Sequence, residues 1–227
     1  MTETVARVGA VAQDYLKAVW GLQEWSQEPV TTKALAARLD VGASAVSQQV
    51  RRLGEAGLLA HEPYGAITLT DQGRDLAVRM VRRHRLLETF LVAELGYGWD
   101  EVHDEAEVLE HAVSDVFVER MDARLGRPVR DPHGDPIPDP DGRLRVPAAV
   151  PLWDAPDGEV VVARISDADP ELLRRFAELG LVLDAELRLG ATQVTLGVRP
   201  VTPSSTGQPL DLAEVAARAI WVTPRPS

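Results

Sequence analysis

Seven prolines (Pro128, Pro132, Pro136, Pro138, Pro140, Pro147 and Pro151) crowd the stretch from Gly126 to Pro151, set among Asp and Gly. Each removes a backbone donor and fixes φ, so neither a helix nor an inner strand runs easily through such a stretch. The chain is thereby cut into a longer part with helical spacing of apolar residues and a shorter part with strand-like runs. The segment between them reads, at least in part, as a linker. At 227 residues, two or three modest domains are expected rather than one small core.

Within the longer part, Val11, Tyr15, Leu16, Val19, Trp20 and Leu22 mark an amphipathic helix ending near Trp25. Thr31 or Thr32 is placed to cap a second helix, Lys33–Leu39, with Leu35, Ala36 and Leu39 inward. Asp40-Val41-Gly42 breaks it, and Ala45, Val46, Val50 and Leu53 mark a third helix from about Ala43 to Ala56. Two short helices joined by a tight glycine turn predict a helix-turn-helix. Leu58–Glu62 and Ala66–Thr70, around Pro63-Tyr64-Gly65, predict the two strands of a wing. A long helix follows, from about Arg74 to Leu95, with Leu76, Met80, Leu86, Leu87, Phe90 and Leu91 on its apolar face. Further helix is expected from Trp99 through Leu125, with Val102, Ala106, Leu109, Val113, Val116, Phe117 and Met121 inside. A pair of helices this apolar beside a winged helix predicts a homodimer interface.

After the prolines, Val160–Ile165, Leu187–Leu189, Val194–Val198 and Ala219–Val222 read as strands, with one helix around Pro170–Leu179. Several short strands in so short a span suggest an SH3-like β-barrel.

Charge and composition restrict function. The net charge of −11 argues at first against nucleic acid. Residues 1–95, however, carry 11 Lys+Arg and 11 Asp+Glu, so the whole excess lies beyond them. The excess acid is therefore C-terminal, and a bound divalent cation would offset part of it. The chain has no Cys, which excludes disulfides, thiolate nucleophiles and sulfur-held zinc or iron clusters. No apolar run suited to a membrane span and no secretory signal pattern appears, so a cytoplasmic protein without membrane contact is expected.

The segment from His103 to His111 carries the chemistry. On a continuous helix His103, Glu107, Glu110 and His111 would share a stripe about 100° wide, two imidazoles and two carboxylates pointing one way. A solvated acidic face is the plainer alternative, but His84 with Glu88 one turn later lies on the preceding helix, and the chain has only five His. Carboxylate oxygen with imidazole and no sulfur suits manganese(II) or iron(II) better than copper or tetrahedral zinc. On the third helix Ser44, Ser47, Gln48, Gln49, Arg51 and Arg52, with Thr32 before them, supply the polar groups that a major groove needs. Arg79, Arg82, Arg83 and Arg85 read as a solvated face paired with acids, His61 as surface, and His133 as a turn-stabilising or exposed residue. No catalytic motif appears, and an enzyme is not expected.

Gln13-Asp14-Tyr15-Leu16, Val46-Ser47-Gln48, Leu69-Thr70-Asp71-Gln72-Gly73, His84-Arg85-Leu86-Leu87-Glu88, His103 to His111, Ser114-Asp115 and Gly134-Asp135-Pro136-Ile137-Pro138 together resemble the diphtheria toxin repressor family of iron- and manganese-dependent transcriptional regulators. The resemblance runs closely from Val11 to about Pro140, and more loosely through the SH3-like part. It implies an effector metal site of Asp14, Glu107, Glu110 and His111, and an ancillary site of His84, Glu88 and His103, two per subunit. Carboxylates stand at the two positions where iron-responsive members carry sulfur, which resembles the manganese-responsive branch. Two departures stand out. Lys17 occupies the position where compact manganese regulators place a glutamate, and the acid-x-x-Gln pair completing the ancillary site is missing, with Asp167 or Asp169 as substitutes.

The expected architecture is mainly α with small β parts. It comprises a winged helix-turn-helix (1–73), a helical metal-binding and dimerisation domain (74–140), a Pro-rich linker (141–151) and an SH3-like β-barrel (152–227). The expected function is a manganese-dependent repressor of metal homeostasis, bound as a homodimer to double-stranded operator DNA, with no small-molecule substrate. Mn2+ is the expected cofactor and Fe2+ the alternative. Two rival readings are a regulator sensing a small organic ligand and a metal-dependent hydrolase with a winged-helix appendage.

Overall fold

Among the residues described by the computed structural model (8–26, 28–61 and 65–225), the chain forms two units, each built around its own core. The first takes in the chain up to His84 together with Glu110–Val118 and Pro138–Arg143; the second takes in Arg85–Leu109, Glu119–Ile137 and everything from Leu144 on. No helix among the described residues is long and apolar enough to cross a membrane.

The first unit begins with α1 (Ala10–Trp25), α2 (Thr32–Leu39) and α3 (Ala43–Glu55). Thr31 Oγ1 accepts a hydrogen bond from the Ala34 N–H at 3.1 Å and so opens α2. Asp40, at φ +50°, closes it and starts the turn into α3; aspartate adopts this left-handed conformation at small cost. Leu16, Val19, Leu35, Val46, Val50 and Leu53 interlock in one core with Ile67, Leu76 and Met80. Each such buried side chain contributes about 1.5–3 kcal/mol of transfer free energy. The wing is a two-stranded antiparallel sheet, β1 (Leu59–His61) and β2 (Ile67–Leu69), paired Leu59 to Leu69 and His61 to Ile67. Pro63 and Tyr64, expected in its turn, lie outside the described residues.

A 25-residue helix, α4 (Asp71–Leu95), follows. Gly73 in its first turn is required by packing, since a Cβ there would sit 1.9 Å from the Leu58 carbonyl oxygen. The face of α4 expected to be solvated is buried at Arg82, Arg83 and Arg85. Their guanidinium groups donate to the carbonyl oxygens of Pro138 (2.9 Å), Glu110 (3.0 Å) and Pro136 (2.7 Å), respectively. They fasten later segments to the helix rather than facing phosphates or water; Arg79 is exposed.

The continuous helix expected from Trp99 to Leu125 is instead two helices, α5 (Val102–Leu109) and α6 (Asp115–Arg124). The break follows from Ser114, whose Oγ accepts from the Phe117 N–H at 3.2 Å and starts α6 afresh, with Asp115 in its first turn. Glu110 and His111 therefore stand in a turn and not on a helical stripe. Val116 and Phe117, expected inside, are exposed on α6.

In the second unit the strands pair antiparallel in the order β3-β8-β4-β5-β6-β7. They are β3 (Val150–Pro151), β4 (Gly158–Ile165), β5 (Glu186–Leu189), β6 (Val198–Pro203), β7 (Leu210–Ala213) and β8 (Ile220–Pro224). Leu152, Val162, Ile165, Leu173, Phe176, Leu187 and Ile220 form their core. Asp169 caps α7 (Pro170–Glu178) by accepting from the Glu171 and Leu172 N–H groups. Val194–Val198 is not a strand. Val194–Leu196 make a 3-10 turn with both side chains exposed, Gly197 at φ +64° ends it, and the strand begins only at Val198. β7 and α8 (Glu214–Arg218) were not anticipated.

The segment expected as a linker is packed for part of its length. Asp131, His133, Asp135 and Ile137 are all buried. Asp131 Oδ1 accepts from the N–H groups of both His133 and Asp135 at 2.9 Å, a side-chain-closed turn. The Ile165 N–H then donates to the His133 carbonyl at 2.8 Å, securing the segment to the end of β4. Arg164 makes an ion pair with Asp135.

Candidate metal centre

Among the described residues, each unit gathers oxygen and imidazole donors within its own core. In the first, α1 presents Gln13, Asp14 and Lys17, α4 presents His84, and the turn after α5 presents Glu110 and His111. One donor atom each from Asp14, Glu110 and His111 lies within 4.8 Å of the others. His111 Nε2 is 2.8 Å from Asp14 Oδ1 and 3.6 Å from Glu110 Oε1. Its other nitrogen, Nδ1, meets Gln13 Oε1 at 3.0 Å. Gln13 offers an acceptor there, so Nδ1 carries the proton and the Nε2 lone pair is left for a cation, an orientation typical of metal-ligating histidines. Gln13 is itself held by donating to the Val8 carbonyl at 2.7 Å.

Glu110 is fully buried. Its Oε2 is 2.6 Å from His84 Nδ1 and its Oε1 is 2.6 Å from Lys17 Nζ. Burial alone would raise its carboxyl, but the hydrogen bond and charge of His84, followed by those of Lys17, outweigh burial and hold it below the usual carboxylate range. Arg83 fixes the turn from behind, donating to the Glu110 carbonyl and pairing with Asp115 at 2.6 Å.

In the second unit, Glu88 on α4 and His103 on α5 meet His133 of the Pro-rich segment and Asp167 of the loop before α7. His103 Nδ1 lies 3.2 Å from Glu88 Oε1 and 3.1 Å from Asp167 Oδ2. Burial would lower His103, yet the hydrogen bonds and charges of Asp167 and Glu88 push it up to about 10. Asp167 is held below its usual range, since its hydrogen bond and attraction to His103 overcome burial. Asp131 is pushed well up by burial and then by the charges of Asp135 and Glu88. Glu88, His133 and Asp167 also bring donor atoms within 4.8 Å of one another. His133 Nε2 donates to the Trp99 carbonyl at 2.6 Å, and its ring stacks on Trp99. That proton placement leaves Nδ1 as a buried lone pair, 4.0 Å from Glu88 Oε2 and without a hydrogen bond. Such an atom beside carboxylates fits a cation.

Of the residues expected as ligands, Asp14, Glu110 and His111 come together in the first unit, and Glu88 and His103 in the second. His84 belongs to the first unit, against Glu110, although it lies one turn from Glu88 along α4. Glu107 belongs to the second, its Oε1 3.5 Å from His103 Nε2. His133 was missed: it is fully buried and not exposed. The available signal was a histidine between Asp131 and Asp135 in a chain with five His. Of the two substitutes considered, Asp167 reaches the cluster while Asp169 caps a helix.

On α3, Val46, Val50 and Leu53 are buried, while Ser44, Ser47, Gln48, Arg51 and Arg52 are exposed; Gln49 and Thr32 are half-buried. The polar side chains thus lie along one face, with Arg51 paired to Glu55 one turn on, Nε to Oε1 at 3.7 Å. Ser47 is partly engaged, its Oγ donating to the Ala43 carbonyl at 2.9 Å.

Comparison with known proteins agrees with this organisation. Residues 7–67 match the N-terminal DNA-binding domain of iron-dependent repressors, residues 70–139 their metal-binding and dimerisation domain, and residues 150–224 the FeoA domain. The iron-dependent repressor IdeR of Mycobacterium tuberculosis (strain ATCC 25618 / H37Rv) is 33% identical over 191 residues, covering 78% of this chain and 83% of that protein. A manganese-dependent transcriptional repressor solved in complex with manganese is 58% identical, with a TM-score of 0.90 over 94% of this chain and 100% of that one. The manganese regulator SloR is 35% identical, with a TM-score of 0.81 over 94% and 98%. With its winged-helix DNA-binding part, its helical dimerisation part and its small antiparallel C-terminal sheet, the chain belongs to the diphtheria toxin repressor family of iron- and manganese-dependent transcriptional repressors.

Proposed function

We propose that this chain represses transcription in response to manganese(II), binding double-stranded operator DNA as a homodimer when both clusters are loaded. The observation that carries the reading is the donor set of the first cluster: Asp14, Glu110 and His111, oxygen and imidazole within 4.8 Å and no sulfur. That chemistry favours a hard, six-coordinate ion. Glu88, His133 and Asp167, with His103 beside them, would hold the second ion. We assign residues 1–73 to operator binding, 74–140 to metal binding and pairing, 141–151 to a linker and 152–227 to the SH3-like part. The exposed Val116 and Phe117 of α6 support pairing of two copies. Thr32, Ser44, Ser47, Gln48, Gln49, Arg51 and Arg52 would meet the duplex, Gln48 and Gln49 reading base edges and the arginines gripping phosphates.

Asp14 of α1 and Glu110 and His111 of the turn after α5 would hold a divalent ion, which would supply positive charge between their carboxylates. The protein residues do the rest. Gln13 fixes the His111 ring, Arg83 fixes the Glu110 backbone, and Asp14 carries the restraint onto the helix that packs against α2, which in turn packs against α3. With α1 restrained, the two recognition helices of a dimer keep one separation, and it must match successive major grooves about 34 Å apart. Ion and operator then favour the same arrangement, and each tightens the other by an equal factor, typically 5- to 150-fold.

The test is a fluorescence-anisotropy titration of a labelled duplex, selected from a random pool by the manganese-loaded protein, in chelator, Mn2+ and Fe2+. Tighter binding in Mn2+ that His111→Ala abolishes is expected. Equal affinity in chelator and in Mn2+ would remove the reading, and a response to Fe2+ alone would replace manganese by iron.

A further inference from the structure

A cleft opens in the second unit between the Pro-rich segment and the sheet, and none of the donor residues lines it. On β4, Val160 and Val162 belong to the core, so the alternate Val161 and Ala163 face the other way and are only half-buried. The register sets Thr223 of β8 beside Val161. Val129, Pro136 and Pro147 of the Pro-rich segment complete an apolar lining, and the cleft measures about 290 Å³. Two arginines border it, and they differ. Arg130 is already neutralised, its Nη1 and Nη2 donating to Asp184 Oδ1 and Oδ2 at 2.8 and 2.6 Å, the forked geometry that satisfies both charges. Arg145 is exposed and has no ion pair or hydrogen bond among the described residues. Acidic residues outnumber Lys and Arg by 35 to 24, so a cation left without a carboxylate here is the reverse of what composition favours.

We propose that this cleft binds a small organic monoacid, its apolar body over Val161 and Ala163 and its carboxylate on Arg145. The site goes beyond metal-dependent repression and gives the chain a second chemical input. Ligand sites are mostly apolar with a few polar groups that fix orientation, and about 300 Å³ is the small end of their range. A medium-chain or single-ring acid fits that size, and a dinucleotide does not. The polar groups also select against a diacid, because Asp184 already holds Arg130 and a second carboxylate finds no second unmatched cation in the lining. The ligand touches both the Pro-rich segment and β4, so its binding stabilises their contact by mass action.

The experiment titrates the full-length protein with octanoate, octanamide and octanedioate, followed by saturation-transfer NMR and by the thermal midpoint. Octanoate is expected to saturate and to raise the midpoint. Octanamide, the same chain without the charge, should bind about two- to fivefold more weakly, a small factor because Arg145 remains in contact with water. Octanedioate should also bind more weakly than octanoate. Arg145→Ala should bring octanoate and octanamide to equal affinity. Val161→Phe, which fills the cleft with a side chain that still favours a strand, should abolish saturable octanoate binding. The proposal is overturned by no saturable octanoate binding in wild type, by equal affinity for the amide or the diacid, or by wild-type binding in Val161→Phe. Should Val161→Phe fail to fold, Arg145→Glu decides: loss of the preference for octanoate over octanamide supports the site, and an unchanged preference overturns it.

Discussion

Replacing Gly134 by Ala probes the contact that turns a proline-rich segment into part of a site. Gly134 sits at φ +90°, and a Cβ there would lie 2.3 Å from the Ala163 carbonyl oxygen, 2.8 Å from Arg164 Cα and 2.6 Å from Leu183 Cδ1. Two of these three atoms are backbone of β4, so relief requires the strand and the segment to separate. An L-residue at this φ costs about 1–3 kcal/mol, and overpacking against atoms that cannot turn aside costs about 1–3 kcal/mol more. The expected loss is about 4 kcal/mol, the sum of these two ranges at their midpoints. Gly207→Ala is the control. It has a similar left-handed φ of +64° with nothing within 4 Å of the added carbon, so only about 1 kcal/mol of conformational cost applies. Urea unfolding followed by tryptophan fluorescence measures both, because Trp99, Trp153 and Trp221 all belong to the second unit. Separation would also release the hydrogen bond between the His133 carbonyl and the Ile165 N–H. Gly134→Ala should therefore lose one bound Mn2+ per chain in dialysis while the ion of the first cluster remains. If Gly134→Ala and Gly207→Ala differ by less than about 1 kcal/mol, a resolvable fraction of a domain's stability, the close approach is not what holds the segment and the reasoning fails.

The pH dependence of the metal-free protein follows from His103. Its folded value, about 10, lies above the ordinary value of about 6.5, so its stabilising contribution is complete below about pH 6.5 and disappears as pH rises through about 10. The thermal midpoint of metal-free wild type should fall across that window and the fall should flatten in His103→Gln; equal slopes in the two proteins would contradict the assignment. Arg83→Met removes the donor to the Glu110 carbonyl and the partner of Asp115. Supporting contacts of this kind change metal affinity by about 10- to 100-fold, so isothermal titration with Mn2+ should show a loss in that range, and an unchanged Kd would mean the turn holds itself.

Much of the fold was legible because its signals are local. Thr31 opening α2, Asp40 closing it, and the inward Val46, Val50 and Leu53 of α3 are all decided within a few residues of chain. Asp14, Glu110 and His111 were grouped through motif resemblance, and the helical-stripe argument that also pointed to the last two assumed a helix running past Leu109, where the structure has a turn. A serine within helix-compatible sequence is an ambiguous signal until its hydroxyl is seen to accept from Phe117. The misread residues depend on partners far along the chain. Arg82, Arg83 and Arg85 look like a solvated face until three carbonyl groups, 27 to 56 residues away, are seen to receive them. His133 looks like loop chemistry until β4 and Trp99 enclose it. Val194–Val198 alternates like a strand, but Val194–Leu196 form a 3-10 turn that Gly197 closes at a left-handed φ.

The absence of sulfur from both clusters has a chemical consequence of its own. A thiolate ligand exposed to peroxide proceeds to sulfenic and then sulfinic acid, and a thioether to sulfoxide; each change alters the donor that recognises the metal. Asp14, Glu88, Glu110, His111, His133 and Asp167 offer no atom that starts on that ladder. With the ions held as proposed, such a donor set would keep its chemistry through an oxidative episode, because none of its ligand atoms is oxidised by peroxide along that route.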